Sequence, residues 1–355
     1  MTDTHRVPNI MDCTLRDGSY AVGFQFTADD TKVIAAGLEE AGVELIEVGH
    51  GVGLGASQKG YGDAAETDHG YMQAAAGALT VARWGMFCIP GIGTLDHVRQ
   101  AIDEGMGFLR VGVTFDEFEG AEAFVDLARR HGLLTCVNFM KSYTRPPLEF
   151  ARLVAEVEGY GTDVVYLVDS AGGMLPEQVS AYVEAIRERA SSVRLGFHGH
   201  NNLGLGVANS LRAVGLGVEI VDASLTGLGR GAGNTPLEQL VCGLIRSGID
   251  CGIDLLEILD LADRHIVPLD VMRGSPSLDV VSGLALFHSS YMGTIRKHAE
   301  KHRVDPRRLI LAVCAVDQTN APDALVEEKA RELARARAHG TWKSLYRHYY
   351  GREQE

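Results

Sequence analysis

"DVVYLVDSAGGMLPEQVSAYVEAIRERASSVRLGFHGH", residues 163–200, decides the fold. An apolar run, "DVVYLVD", leads into a polar turn. A segment with apolar residues at helical spacing follows, and then a second apolar run, "RLGFHGH". Pro176 stands at the helix start, with Glu177 favourably placed in the first turn. Near-continuous apolar strands joined by a helix belong to a parallel sheet covered on both faces.

The same alternation recurs on either side. The other strand runs are "NIMDCTL", "ELIEVGH", "ARWGMFCI", "GFLRVGV", "LTCVNFM" and "EIVDASLT". Helical patterns lie between them over residues 29–42, 95–105, 121–131 and 147–160. In "TADDTKVIAAGLEEAG", Thr27 or Asp29 opens the helix and Gly42 stops it. Eight such units over about 240 residues fit a closed (β/α)₈ TIM barrel better than an open doubly wound sheet. After about Gly248 the alternation ceases and the remainder reads as helices. The expected organisation is a catalytic barrel over residues 1–250 and a helical C-terminal extension over 251–355.

Composition bounds the function. The chain has 355 residues, 46% of them apolar and 23% charged, as expected of a globular protein. A net charge of −14 argues against a broad phosphate-binding face, so nucleic acid is not an expected partner. No stretch approaches the roughly 18 to 20 apolar residues of a membrane span, and "MTDTHRVPNI" lacks a signal-peptide core. Cys13, Cys88, Cys136, Cys242, Cys251 and Cys314 are scattered, without metal spacing, and read as buried reduced thiols of a cytoplasmic protein.

In a barrel of this kind the working residues lie at the C-terminal ends of the strands. Polar and ionisable residues gather there: "TLRDGSY", "EVGHGVGLG", "VDSAGG", "HGHNNLG" and "SLTGLGRGAGN". His198 and His200 are two apart, so both imidazoles face the same side of their strand, over the mouth. Two imidazoles hold a metal poorly, but Asp17 ends strand 1, only one strand away in a closed barrel. Asp17, His198 and His200 therefore form a facial ligand set with positions left open for substrate. Arg16 projects a fixed cation toward the same mouth, suited to a carboxylate or a developing oxyanion. Asn201 and Asn202 are placed to orient the imidazoles. Glu47 is placed to orient a ligand, His50 and His69 to touch substrate, and Met86, Phe87 and Ile89 to shape the pocket. "GLGRGAGN" lacks the Lys-Ser/Thr ending of a phosphate loop and reads as a tight strand-to-helix connection.

The motifs "DCTLRDGSY", "GVELIEVGHGVGLG", "PGIGTLDHV", "VYLVDSAGGMLPE", "GFHGHNNLGLGVANS" and "SLTGLGRGAGNTPLE" run collinearly through the barrel. With them the sequence resembles the 4-hydroxy-2-oxovalerate aldolases, metal-dependent pyruvate aldolases related to HMG-CoA lyase and isopropylmalate synthase. The resemblance implies that Asp17, His198 and His200 bind a divalent metal: manganese first, magnesium or cobalt as alternatives. It implies that Arg16 steadies a pyruvate enolate and that Ser170 contacts the pyruvate unit. The implied substrates are a small 2-oxo acid and an aldehyde, and a homo-oligomer is the expected assembly.

Two departures stand out. The family's histidine after "LRDG" is replaced by Tyr20. The family's tyrosine in the C-terminal region is replaced by His288 in "LFHSSYMGTI", with Tyr291 three residues later as a further substrate contact. The pair reads as an exchange across one site, in which His288 is the better base because imidazole titrates near about 6.5 and phenol near about 10. Alternatively, Tyr20 signals another reaction, such as a Claisen-type condensation with an acyl-CoA, or a catalytically silent barrel. The segment "AVDQTNAPDALVEEKARELARARAHGTW" keeps a helical pattern but loses much of the motif by which the family docks an aldehyde dehydrogenase. That partner is not carried over.

Overall fold

The structure is a computed structural model that describes residues 7–190, 192–271, 276–343 and 346. Its strands are β1 (Asn9–Asp12), β2 (Leu45–Glu47), β3 (Arg83–Cys88), β4 (Phe108–Val113), β5 (Leu134–Phe139), β6 (Val164–Asp169), β7 (Arg194–Gly199) and β8 (Ile220–Ala223). They pair in parallel, in sequence order, and β8 closes onto β1. The helices that follow them are α1 (Ala28–Glu40), α2 (Asp68–Ala78), α3 (Leu95–Asp103), α4 (Ala121–Arg130), α5 (Pro147–Glu158), α6 (Pro176–Arg189), α7 (Gly206–Gly215) and α8 (Leu237–Arg246). The expected barrel is present, and all six cysteines are free thiols. Cys242 is exposed and Cys251 half-buried, which corrects the expectation that every thiol is buried. Neither packs into the strand layer.

Local chemistry explains where the helices begin. Thr27, not Asp29, caps α1: its hydroxyl accepts the Asp30 amide while the Asp30 carboxylate accepts the Thr27 amide. Thr94 caps α3 in the same manner through His97, and Pro176 is the first residue of α6. The barrel interior below the mouth is filled by Met11, Leu45, Phe108, Leu134, Tyr166 and Ile220. Two glycines make room for the largest of these. A Cβ on Gly85 would stand 2.2 Å from the Phe108 ring, and one on Gly196 would stand 2.6 Å from the Tyr166 ring. Full burial of each such side chain stabilises the fold by about 1.5–3 kcal/mol.

Beyond the barrel, α9 (Leu255–His265) packs on α1 and α8. A second hydrophobic core, with Leu278, Met292, Ile295, Leu309, Ile310 and Val326, joins α10 (Pro276–Ala285), α11 (Met292–His302), α12 (Pro306–Cys314) and α13 (Asp323–Arg335). This second core meets the barrel at its mouth. A Cβ on Gly173, after β6, would stand 2.3 Å from the Gly283 carbonyl of α10. Among the described residues no helix is long and apolar enough to cross a membrane.

Candidate active site

Asp17 opens a short turn of helix after β1 that is fixed by backbone bonds to the Cys13 carbonyl, including one of 2.8 Å from the Asp17 amide. His198 lies on β7 and His200 just beyond it. Strand register and barrel closure bring the three together, with ligand atoms within 4.8 Å of one another. All three are buried.

A chain of buried charges links one end of this triad to the other. Arg16 donates to Asp17 at 2.6 Å and to Glu47 at 2.7 Å. Glu47 also accepts from Arg110 at 2.8 Å, Arg110 donates to Asp222, and Asp222 pairs with His198 Nδ1 at 2.8 Å. Isolated charges at such depth would be strongly disfavoured, and alternation of sign around the barrel is what makes them tolerable. Burial alone would raise the Asp17 carboxyl, but Arg16, His200 and His198 together hold it well below the usual carboxylate range. Its second oxygen accepts the Arg230 amide and the Asn234 side chain, each at 3.1 Å. The "GLGRGAGN" turn thus carries the group that clasps Asp17.

The imidazoles are set for metal binding by their outer nitrogens. Asp222 and the Gly233 carbonyl both accept, so His198 and His200 each carry the proton on Nδ1. Each Nε2 therefore presents a lone pair, and the two face each other at 3.4 Å. Facing lone pairs repel unless a cation lies between them. That spacing is within the roughly 4.2 Å that two nitrogens at about 2.1 Å from one metal can span. Burial also pushes His200 down to about 4, against the pull of Asp17, which keeps it neutral as a metal ligand must be. The donor set fits a divalent cation. The imidazoles are oriented by Asp222 and Gly233 rather than by Asn201, whose side chain accepts the Gly206 amide instead.

A cavity of about 250 Å³ opens over the triad. Arg16, Asp17, Tyr20, Ser170, His198, His200 and His288 all line it. Tyr20 and His288, far apart in sequence, thus share one chamber, and the Arg230 guanidinium lies 4.9 Å over the Tyr20 ring. Burial, reinforced by Arg230, Lys141 and His200, holds His288 well below its usual value, so it is neutral. Its Nδ1 accepts the Ser290 amide at 3.2 Å and meets the Ser290 hydroxyl at 2.6 Å, so Nε2 is the nitrogen left for the cavity.

Other expected contacts are placed elsewhere. His50 is not in the cavity wall: its ring stacks on Phe24, Nε2 meets the Gly62 carbonyl, and Nδ1 accepts the Val52 amide. Tyr291 lies one layer behind, with its hydroxyl on the Thr319 carbonyl at 2.9 Å. His69 pairs with Glu104 at 3.2 Å, away from the chamber. Phe87 and Ile89 line the cavity and Met86 packs in the core. Glu47 orients Arg16 and Arg110. Asp222, Arg110, Lys141, Arg230 and Asn234 were not singled out from sequence. A charge in the middle of the apolar runs "GFLRVGV" and "EIVDASLT" is the signal that marks Arg110 and Asp222.

The HMGL-like family matches residues 7–264. A 4-hydroxy-2-oxovalerate aldolase 2 of Nocardia farcinica is 39% identical over 337 residues, covering 94% of this chain and 96% of that protein. A 4-hydroxy-2-oxovalerate aldolase of Thermus thermophilus is 38% identical over 309 residues, 87% of this chain and 89% of that one. Among solved structures, the HMG-CoA lyase of Brucella melitensis superposes with a TM-score of 0.64 at 19% identity, over 74% of this chain and 98% of that one. The carboxyl transferase domain of Rhizobium etli pyruvate carboxylase does so with a TM-score of 0.74 at 17% identity, over 94% and 61%. These two likenesses concern the fold.

Proposed function

The chain belongs to the HMGL-like family, alongside 4-hydroxy-2-oxovalerate aldolases, and we propose that it is a metal-dependent carbon–carbon lyase of that kind. It would interconvert a 4-hydroxy-2-oxo acid with pyruvate and an aldehyde. The observation that carries this reading is the pair of Nε2 atoms facing each other at 3.4 Å beside Asp17, with Arg16 against the same carboxylate. Asp17, His198 and His200 would hold the cation, manganese first and magnesium or cobalt as alternatives. When bound, it supplies Lewis-acid stabilisation of the charge that develops on the keto oxygen.

The remaining work belongs to the chain's own groups. Arg16, fixed by Asp17 and Glu47, keeps a rigid guanidinium beside the developing enolate. Ser170 lines the wall nearest the pyruvate unit. His288 takes the 4-hydroxyl proton, its ring held at Nδ1 by the Ser290 amide and hydroxyl. The carbon–carbon bond then breaks, its electron pair passes to the enolate, and the aldehyde departs. Protonation of the enolate carbon gives pyruvate. Tyr20, which lines the same cavity as His288, holds the hydroxyl oxygen in line.

The substrates are small molecules, and we place the protein in the cytoplasm as a homo-oligomer, in keeping with its free thiols. These relatives favour neither an acyl-CoA condensation nor a silent barrel. The test is pyruvate release from 4-hydroxy-2-oxo acids, coupled to lactate dehydrogenase, after EDTA treatment and manganese addition. Manganese-dependent release is expected, and His288→Ala should slow it by about 10²–10⁴-fold. No pyruvate from any 4-hydroxy-2-oxo acid with metal restored would overturn the reading.

A further inference from the structure

Lys141 follows β5 and lines the cavity. Its backbone is left-handed, at φ 58° and ψ 43°, a conformation that costs a side-chain-bearing residue roughly 1–2 kcal/mol. Its amide donates to Ser170 Oγ at 2.9 Å, which sets it beside the pyruvate wall. The ammonium donates to the Tyr291 hydroxyl and, at 3.0 Å, to the Thr319 carbonyl. It also lies 4.5 Å from the centre of the Tyr291 ring. All of these partners are neutral.

Charge balance shows why that matters. In the buried network two guanidiniums, Arg16 and Arg110, face three carboxylates, Asp17, Glu47 and Asp222, which leaves one negative charge. A divalent cation turns this into one positive charge, and the carboxylate of a 2-oxo acid cancels it. The pyruvate half of the substrate is then fully matched. Lys141 stands outside that network: the Arg230 guanidinium shares its wall, and Asp317, which accepts the Thr319 amide, is the carboxylate that acts on it from behind. Lys141 is also close enough to His288 to help hold that imidazole neutral, which sets the ammonium near the half of the substrate that becomes the aldehyde.

We infer that Lys141 is a specificity-determining residue, and that the aldehyde this enzyme releases or accepts carries an anionic group, a carboxylate or a phosphate. The inference rests on the aldolase reading above. A charge-assisted hydrogen bond to a half-buried ammonium is the contact that would distinguish such an aldehyde from a neutral one of equal size. Tyr291 and Thr319, with Asn320 behind Tyr291, form the socket that holds the ammonium at the edge of the cavity.

The test measures pyruvate addition, with manganese, to matched aldehydes. Succinic semialdehyde is set against pentanal, and glyceraldehyde 3-phosphate against glyceraldehyde, so the two pairs separate carboxylate from phosphate. One anionic member should exceed its neutral match in kcat/KM by about tenfold to a hundredfold. Lys141→Met should bring that ratio close to one, and Lys141→Arg should retain it. Equal use of both members of each pair, or a ratio unchanged in Lys141→Met, overturns the inference while leaving the aldolase reading intact. Borohydride trapping of pyruvate on Lys141 would also overturn it, by making the lysine a nucleophile. If no aldehyde adds to pyruvate and pyruvate itself is not enolised, the aldolase reading fails and the inference falls with it.

Discussion

Asp222 uses a single carboxylate oxygen to hold the His198 imidazole and to meet the Arg110 guanidinium. Asp222→Asn keeps the shape but removes the charge that fixes the imidazole's proton on Nδ1 and balances Arg110. Manganese affinity is expected to fall about 10–100-fold, read by titration with paramagnetic resonance detection. Unchanged affinity would show that the triad needs no such support. Lys141 yields a pH prediction. Burial, with Arg230 adding to it and Asp317 opposing, pushes the ammonium down to about 8, and Tyr291 and His288 are the other titratable groups around it. A group lowered in this way is charged below that pH, so preference for an anionic aldehyde should hold at neutral pH and fade as pH rises through about 8. In Lys141→Arg the fade should be absent. His198, His200 and Asp17 are legible in the sequence because a two-residue spacing and a strand end suffice to place them. Asp222, Glu47 and Arg110 form a chain only through strand register, which no local pattern encodes. Lys141 is harder still, since its role depends on a left-handed backbone and on a socket about 150 residues away, a span set by Tyr291.

At the scale of elements, β7 and β6 are joined by a fit that tolerates no extra methyl. Gly196→Ala would drive a Cβ to 2.6 Å from the buried Tyr166 ring, which lies between Gly196 and the Arg110 guanidinium. A loss of about 1–3 kcal/mol is expected, seen as a lower thermal midpoint. No change would mean that the interior layer is looser than its geometry indicates. The strands and their helices are readable from sequence because apolar runs and amphipathic runs differ in period. Helix starts at Thr27 and Pro176 are readable because capping chemistry is local. The C-terminal helices are equally readable as helices. Their use as a wall of the active site is readable only through the resemblance that points to His288, because packing partners leave no periodic trace.

For the molecule as a whole, the second core works by pressing His288 and the Tyr291 socket against the barrel mouth. Gly173 and Gly283 mark a close approach of the two cores. Gly173→Ala should force them apart and displace His288, and a misplacement near 1 Å costs on the order of a hundredfold in rate. The coupled pyruvate assay checks this, alongside a manganese titration expected to move far less, since Asp17, His198 and His200, the proposed ligands, all belong to the barrel. A full rate in Gly173→Ala would show that the helical region does not complete the site. The most direct test of the central claim, enolisation of pyruvate at Asp17, His198 and His200, is exchange of the pyruvate methyl protons with deuterated water, followed by NMR with an acceptor aldehyde present. Exchange that requires manganese, stops with EDTA and is lost in Asp17→Asn is the predicted result; exchange no faster than manganese alone, with the aldehyde present, would contradict it.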